Sequence, residues 1–383
     1  MIKRIVYTGH FLFPNGQAAS DRVLNNILAL NEKNVLVLSG DRKSPLKTLV
    51  VDNQVIKYKG IGQERNTWEN SIIKAFRMLF GFTTALINEL NNLNYKPTHL
   101  ILYGGYTPYL VRLLPWCRAN KVKLIVDVVE WQNANQLPGH IFGISYWNVM
   151  IANSYLNKIS DGIISISEYL YKYYIKCGCK SQLIPYLSRE NLLRFYKSSK
   201  IKNQLKLIYA GDPGKNGQKD LLMPLIYAIN KKYNNKIQLD IYVTTLERIN
   251  SISKKKLKLC KNIIVHGRVP KEIILNKMKT ADFSVLLRNN LRFSNAGFPS
   301  KFVESFSNSV PLFANITSDL GRYINKSNSI IVGKINEEEI IQCLEIALKL
   351  SNEEHNIMKK ECLKVVKNKL NYNLYSSRIK KLI

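Results

Sequence analysis

Short runs of β-branched and aromatic residues alternate with longer stretches of helical spacing along most of this chain, the pattern of a layered α/β protein. The first set is IVYTG at Ile5, VLVLSG at Val35, HLILYGG at His99, LIVDVVEW at Leu124 and GIISIS at Gly162. Amphipathic stretches such as Ala18–Leu30 and Ser145–Lys158 lie between them. A second set begins at LKLIYAG (Leu205–Gly211) and continues through IQLDIYV at Ile237, NIIVHG at Asn262, DFSVLL at Asp282, VPLFAN at Val310 and IIVG at Ile330. A polar, basic segment, Ser188–Gln204, separates the two sets, and a charged helical pattern runs from Asn352 onward. The pattern predicts two doubly wound, Rossmann-like domains, 1–190 and 205–355, followed by a helical segment, 356–383. Chemistry in such a pair is sought in a cleft at the carboxyl ends of the strands.

At 383 residues, 46% of them hydrophobic, the chain is long enough for two cores and too apolar for disorder. Its six cysteines lack metal-ligand spacing and are too few for a disulfide scaffold, so they read as reduced thiols of a cytoplasmic protein. The start, MIKRIVYTGHFLF, lacks a small-residue cleavage site and reads as a first strand rather than a signal peptide. No apolar run reaches spanning length. The net charge is +30: residues 1–190 hold 22 Lys and Arg against 12 Asp and Glu, and the rest hold 35 against 15. Such an excess points to an anionic partner or to coding bias. Nucleic acid is not expected, because zinc spacing, an aromatic RNA-binding box and a helix-turn-helix are all missing. An anionic membrane surface remains open. Within Ser71–Leu90 the apolar residues crowd together while Lys74 and Arg77 share an edge, which fits an interfacial helix or a crossover helix packed on its own sheet.

Candidate residues cluster at strand ends. GFPSKFVESF (Gly297–Phe306) reads as a tight turn running into a helix, with Ser300 as N-cap, Lys301 and Glu304 on one face, and Phe302 and Phe306 turned to a core. Gly211–Asp220 (GDPGKNGQKD) follows the first strand of the second set, and composition leaves it open between a phosphate cradle and a surface loop. Arg288 ends another strand as a candidate phosphate clamp. In the first set, Phe13–Ala19 is a glycine turn opening a helix, an anion site. Asp127, Glu130 and Trp131 sit at the end of LIVDVVEW, where Glu130 is placed to orient a hydroxyl or accept a proton. His10 and His266 end strands too, more in keeping with loop hydrogen bonds than catalysis. A dinucleotide GxGxxG, HExxH, a Walker sequence and a DxD-type pair are all absent, so neither a cofactor nor a metal is expected.

NAGFPSKFVESFSNSVPLFANITSDL (Asn295–Leu320), LIYAGDPGKNGQKD and NIIVHGRVPKEIILNKMKTADFSVLLR resemble the retaining nucleotide-sugar glycosyltransferases of family 4, a GT-B class, of the bacterial surface-polysaccharide type. The N-terminal likeness, in FPNGQAASDRVLNNILAL and LIVDVVEW, is looser. The resemblance implies that Glu304 binds ribose hydroxyls and that the amides around Gly297, Phe298, Pro299 and Ser300 hold the donor sugar and phosphate. It implies that Lys219, Lys301 and Arg288 neutralise the diphosphate beside Gly211, that Arg268 and Val269 border the base, and that Gly16 and Gln17 face the sugar-phosphate. Glu130 falls where many members carry a His near the reacting carbon. Two positions depart from the pattern: Ala296 replaces the first of the family's paired glutamates, and Asp212 stands where an arginine is common. The implied partners are a nucleotide-diphosphate sugar, UDP-sugar favoured, a lipid-linked or oligosaccharide acceptor, and an anionic membrane surface. The implied location is the inner face of the cytoplasmic membrane, with the C-terminal helical segment returning to the first domain. A nucleotide-sugar epimerase of the same shape and a non-catalytic basic binding protein are the alternative readings.

Overall fold

The computed structural model describes residues 2–15, 18–62, 81–195, 204–214, 220–233, 235–253 and 258–383. Gly16, Gln17, Lys74, Arg77, Lys215, Lys219 and Lys254–Lys256 lie outside them. The chain forms two units: one of Met1–Leu187, Ala296–Phe298 and Tyr372–Ile383, the other of Ser188–Asn295 and Pro299–Asn371.

The first unit is built on strands β1 (Ile5–Gly9), β2 (Val35–Arg42), β3 (Lys47–Val51), β4 (Gln54–Gly62), β5 (His99–Tyr103), β6 (Lys123–Val128), β7 (Gly162–Ser165) and β8 (Ser181–Leu183). They form one sheet in the order β3-β4-β2-β1-β5-β6-β7-β8. Only β3 pairs antiparallel, with β4; the other pairings are parallel. β1 and β7 are buried at every position, as expected of strands covered on both faces by crossover helices. Helix Ala18–Leu30 packs its apolar face onto this sheet and, with Tyr372, Tyr375 and Ile379, closes the core. Its Arg22 is fully buried. Arg22 donates to both oxygens of Asp127 (2.6–3.1 Å), Tyr7 donates to Asp127 Oδ2 (2.7 Å), and Arg22 also reaches the carbonyls of Ile184 and Pro185. A buried ion pair needs such extra hydrogen bonds to offset its desolvation.

The second unit carries β9 (Leu205–Ala210), β10 (Ile237–Tyr242), β11 (Ile263–Gly267), β12 (Phe283–Leu286), β13 (Leu312–Ala314) and β14 (Ser329–Ile331), all parallel in the order β11-β10-β9-β12-β13-β14. Strand order reverses at β1 in the first sheet and at β9 in the second. A doubly wound sheet opens a crevice beyond its strands' carboxyl ends at such a switch point. The second crevice is bordered by the residues following β9 and β12. The strands expected from the sequence all appear; the β3–β4 hairpin and β8 were not foreseen. The hairpin turns at Asp52 and Asn53, both at positive φ (47° and 62°), a conformation these two residues tolerate better than most.

Candidate active site

At the switch point of the second sheet a single buried carboxylate gathers the local chemistry. Asp220 is 2% exposed and forms an isolated antiparallel bridge with Arg288, two residues past β12. Its Oδ2 accepts from the Tyr209 hydroxyl (2.7 Å) and from Lys301 Nζ (2.9 Å), while Oδ1 lies 3.8 Å from Arg288 Nε. Asn315, just past β13, fixes the Arg288 backbone by accepting from its N–H (2.7 Å) and donating to its carbonyl (2.9 Å). The Arg288 guanidinium is buried, and its Nη1 has no hydrogen-bond partner among the described residues. Burial lowers the Arg288 pKa and Asp220 opposes that shift; burial and then Asp220 push the Tyr209 hydroxyl well above its usual value. Two cations share one carboxylate, so the cluster carries one surplus positive charge beside the loop after β9. A buried donor left unsatisfied is costly unless a ligand completes it.

Gly211 has a specific reason to be glycine. A Cβ there would overlap the Lys301 ammonium and come within 2.6 Å of its Cε. The ammonium also stands 4.8 Å from the Tyr209 ring centroid, within cation–π range. Lys301 is thus seated by a missing side chain, an aromatic face and a carboxylate.

The GFPSKFVE turn differs from its sequence reading in two ways. The helix runs Ser300–Ser307 with Pro299 as its N-cap, and no side chain caps it; Ser300 is the first helical residue, not the cap. With Pro299 in the cap position no side-chain oxygen is offered to the first-turn amides, and the Pro299 carbonyl accepts from the Phe302 N–H (3.1 Å). Second, Lys301 and Glu304 do not pair. Lys301 turns to Asp220, whereas Glu304 Oε1 lies 3.3 Å from Lys271 Nζ at the start of helix Lys271–Met278. The stronger charge partner is the buried one, and it draws Lys301 away from its own helix. Phe302 and Phe306 enter the core as read, with ring centroids 4.7 Å apart. Ala296, Gly297 and Phe298 belong to the first unit, where Ser167 Oγ donates to the Ala296 carbonyl (2.7 Å).

After β11, Arg268 is exposed and Val269 packs on the small cluster of Ile208, Tyr242, Met278, Ala281 and Val310. His266 stacks on Tyr242 (4.3 Å, 4°) with Nε2 2.6 Å from Asp240 Oδ1, a structural setting rather than a catalytic one. In the first unit Glu130 lies two residues past β6 and accepts from the Tyr106 hydroxyl (3.4 Å). It lines a hollow of ≈ 10 Å³ with Gly104, Gly105, Val128 and Asn153, about one water's worth of space. Burial and then Glu130 raise the Tyr106 pKa. Asp127 is removed from the site: both its oxygens are consumed by Arg22, Tyr7 and Asn26 in the core. Trp131 is also core, its indole N–H donating to Met150 Sδ. Of the residues implied by the resemblance, the structure brings together Gly211, Arg288 and Lys301. It leaves Glu304 beside Lys271, and Glu130 in the other unit. Asp220, Tyr209 and Asn315 were not singled out from the sequence. Asp220's signal was its place as the last residue of the glycine-rich loop.

No protein-family model and no curated protein sequence matches the chain. Solved structures do. A sucrose-phosphate synthase from Thermosynechococcus elongatus superposes with a TM-score of 0.71 at 12% identity, covering 99% of this chain and 98% of that one. The Anabaena protein HepE, in complex with UDP and glucose, gives 0.68 at 12% identity with coverage of 99% and 98%. The catalytic domain of starch synthase IV from Arabidopsis thaliana, bound to ADP and acarbose, gives 0.66 at 11% identity, again covering 99% and 98%. This chain has the GT-B fold. Trehalose-phosphate, sucrose-phosphate and starch synthases are among the GT-B neighbours, which do not point specifically to family 4. Among the described residues, no helix is long and apolar enough to cross a membrane, and no group of three or more His, Cys, Asp or Glu side chains is placed to hold a metal.

Proposed function

We propose that the chain is a retaining glycosyltransferase that moves a sugar from a nucleotide-diphosphate donor, UDP-sugar favoured, to a lipid-linked saccharide in bacterial surface-polysaccharide synthesis. The observation that carries this reading is the cluster of buried Asp220 and Arg288 with half-buried Lys301 at the switch point of the second sheet, with its surplus charge and a guanidinium N–H that finds no partner among the described residues. A diphosphate is the ligand class such a cluster fits. The GT-B fold supports it, since structural neighbours were solved with UDP and glucose or with ADP, and a trehalose-6-phosphate synthase among them was studied for glycosyl transfer with retention.

In this reading Lys301 and Arg288 stabilise the departing diphosphate, the main catalytic contribution in such a transfer. Lys219 adds a third cation. The donor's own phosphate oxygen accepts the acceptor's proton on the face the leaving group vacates, so no protein nucleophile is required. Asp220 positions the two cations before the ligand arrives. Glu304 binds the ribose hydroxyls, drawing on the carboxylate that Lys271 holds in place. The amides from Gly297 to Ser300 and the residues Gly16 and Gln17 hold the sugar-phosphate, Arg268 and Val269 border the base, and Glu130 orients a hydroxyl near the reacting carbon. The net charge of +30 supports peripheral attachment to an anionic membrane at the inner face of the cytoplasmic membrane.

A thermal-shift screen against nucleoside diphosphates and nucleotide sugars tests the donor site. A specific ligand at a hundredfold excess over its Kd stabilises by about 2.7 kcal/mol. Product analysis then separates transfer from epimerisation: a transferase frees the nucleoside diphosphate, whereas an epimerase returns the sugar still attached. No stabilisation by any nucleotide refutes the proposal.

A further inference from the structure

Helix Ile144–Ser154 in the first unit has the reverse of the usual surface pattern. Its eleven residues, ISYWNVMIANS, include no charged side chain. Val149, Ala152 and Asn153 face the core. The opposite, solvent-facing stripe is Ile144, Trp147, Ile151 and Tyr155, continued by Ile159 in the following short 3-10 turn and preceded by Phe142. Within the helix, spacings of three and four keep Ile144, Trp147 and Ile151 on one line. Phe142 is 89% exposed and Trp147 54%. Scattered exposed apolar residues need no explanation, but a contiguous stripe of them marks an interaction surface.

The stripe ends at charge. Ile159 also lines a hollow of ≈ 260 Å³ that holds Arg118, Lys121 and Lys123, all three exposed. The one carboxylate there, Asp161, accepts the Leu124 backbone N–H (2.7 Å) through Oδ2. The other end of the stripe lies after β6, at the carboxyl end of the sheet, which also carries Glu130.

We infer that this stripe and its cationic hollow form a docking face for a bilayer containing anionic phospholipid. Phe142, Trp147 and Ile151 enter the headgroup–acyl boundary, and Arg118, Lys121 and Lys123 meet lipid phosphates. Apolar side chains beside a basic rim are what interfacial binding requires, and Trp and Tyr are the side chains that settle at headgroup depth. A second copy of this chain fits the face less well, because it would bring two strongly basic proteins together at their basic rims. The inference rests on the peripheral-membrane part of the function proposed above and is independent of the donor's identity. It also gives a lipid-linked acceptor a track from the bilayer toward the strand ends.

Flotation of the full chain with phosphatidylcholine vesicles, with and without phosphatidylglycerol, tests it. We expect salt-sensitive binding to the anionic vesicles alone. Phe142→Ser with Trp147→Ser, and separately Arg118→Glu with Lys123→Glu, should each weaken that binding by at least about tenfold. The conservative Trp147→Phe should keep the binding and abolish the blue shift of tryptophan emission that vesicles induce. Circular dichroism and UDP-induced thermal shifts should be unchanged in every variant. Vesicle binding by the parent that both double variants retain would overturn the face while leaving membrane association standing. Failure of the parent to bind anionic vesicles would overturn both, and the UDP shift would still report on the transferase reading. A parent dimer in sedimentation equilibrium that Phe142→Ser with Trp147→Ser dissociates would reassign the stripe to self-association and overturn the inference.

Discussion

Asp220→Asn probes the candidate site most directly, because it changes one charge and almost no volume. Asp220 stands 2.9 Å from Lys301 Nζ and 3.8 Å from Arg288 Nε. At an effective dielectric of about 20 those separations correspond to gross attractions of about 6 and about 4 kcal/mol. Desolvation of the carboxylate and of Arg288 offsets most of this, so the net cost is better taken from pairs broken on one side, about 3–5 kcal/mol. The Lys301 side chain is 23% exposed and recovers part of its hydration, which places the expected loss near the lower limit, about 3 kcal/mol. Urea unfolding of parent and variant measures it. Two further arms separate electrostatics from packing. Asp220→Asn combined with Lys301→Met should be less destabilised than the sum of the single changes, since the pair is removed together. UDP should raise the variant's stability by more than it raises the parent's, because the diphosphate supplies the anion that Arg288 and Lys301 have lost. An Asp220→Asn protein within about 0.5 kcal/mol of the parent would show that Asp220 does not hold the cations, and equal UDP shifts would remove them from the diphosphate site.

Glu304→Ala should lower kcat/KM by about 30-fold, roughly the 2 kcal/mol of a charged hydrogen bond to ribose; near-normal turnover by the folded variant would take Glu304 out of the donor site. Gly211→Ala should push the flexible end of Lys301 aside and weaken UDP binding more than uridine binding; equal losses for both ligands would contradict a role at the phosphates. His99, buried with no partner at Nε2 among the described residues, has its pKa lowered to about 4 by burial and then by Lys123 and Lys3. Its folded pKa lies below the unfolded value near 6.5, so the unfolded chain binds more protons between them. Stability should therefore fall as pH drops from about 6.5 to about 4. His99→Gln should flatten that part of the urea-midpoint profile, and an unchanged slope would clear His99.

Strands were legible in the sequence wherever burial on both faces makes them nearly continuous apolar runs: IVYTG is β1, HLILY is most of HLILYGG and β5, and GIIS opens GIISIS as β7. The helix over Ala18–Leu30 was equally plain from its 3.6-residue period. β3 was not, because only its middle and last residues are even partly buried, and its turn rests on Asp52 and Asn53 instead of the glycine that usually announces a hairpin. The glycine loop and Arg288 could be named as site candidates because each follows a strand, a rule that depends on chain order alone, whereas the GFP turn follows the short helix Arg292–Ala296 and was marked by its own turn-and-helix residues. Their partners could not be named. Asp220 meets Lys301 across 81 residues and Tyr209 across 11, and Arg22 finds Asp127 across 105. Spacing along the chain puts Lys301 and Glu304 on one helix face; the folded protein turns Lys301 to Asp220 and leaves Glu304 beside Lys271. Local pattern determines which elements form, because side-chain period and burial act over a few residues. Which charges meet was decided by the tertiary structure, because desolvating a carboxylate makes it seek whatever cation the fold places within reach, however distant in sequence.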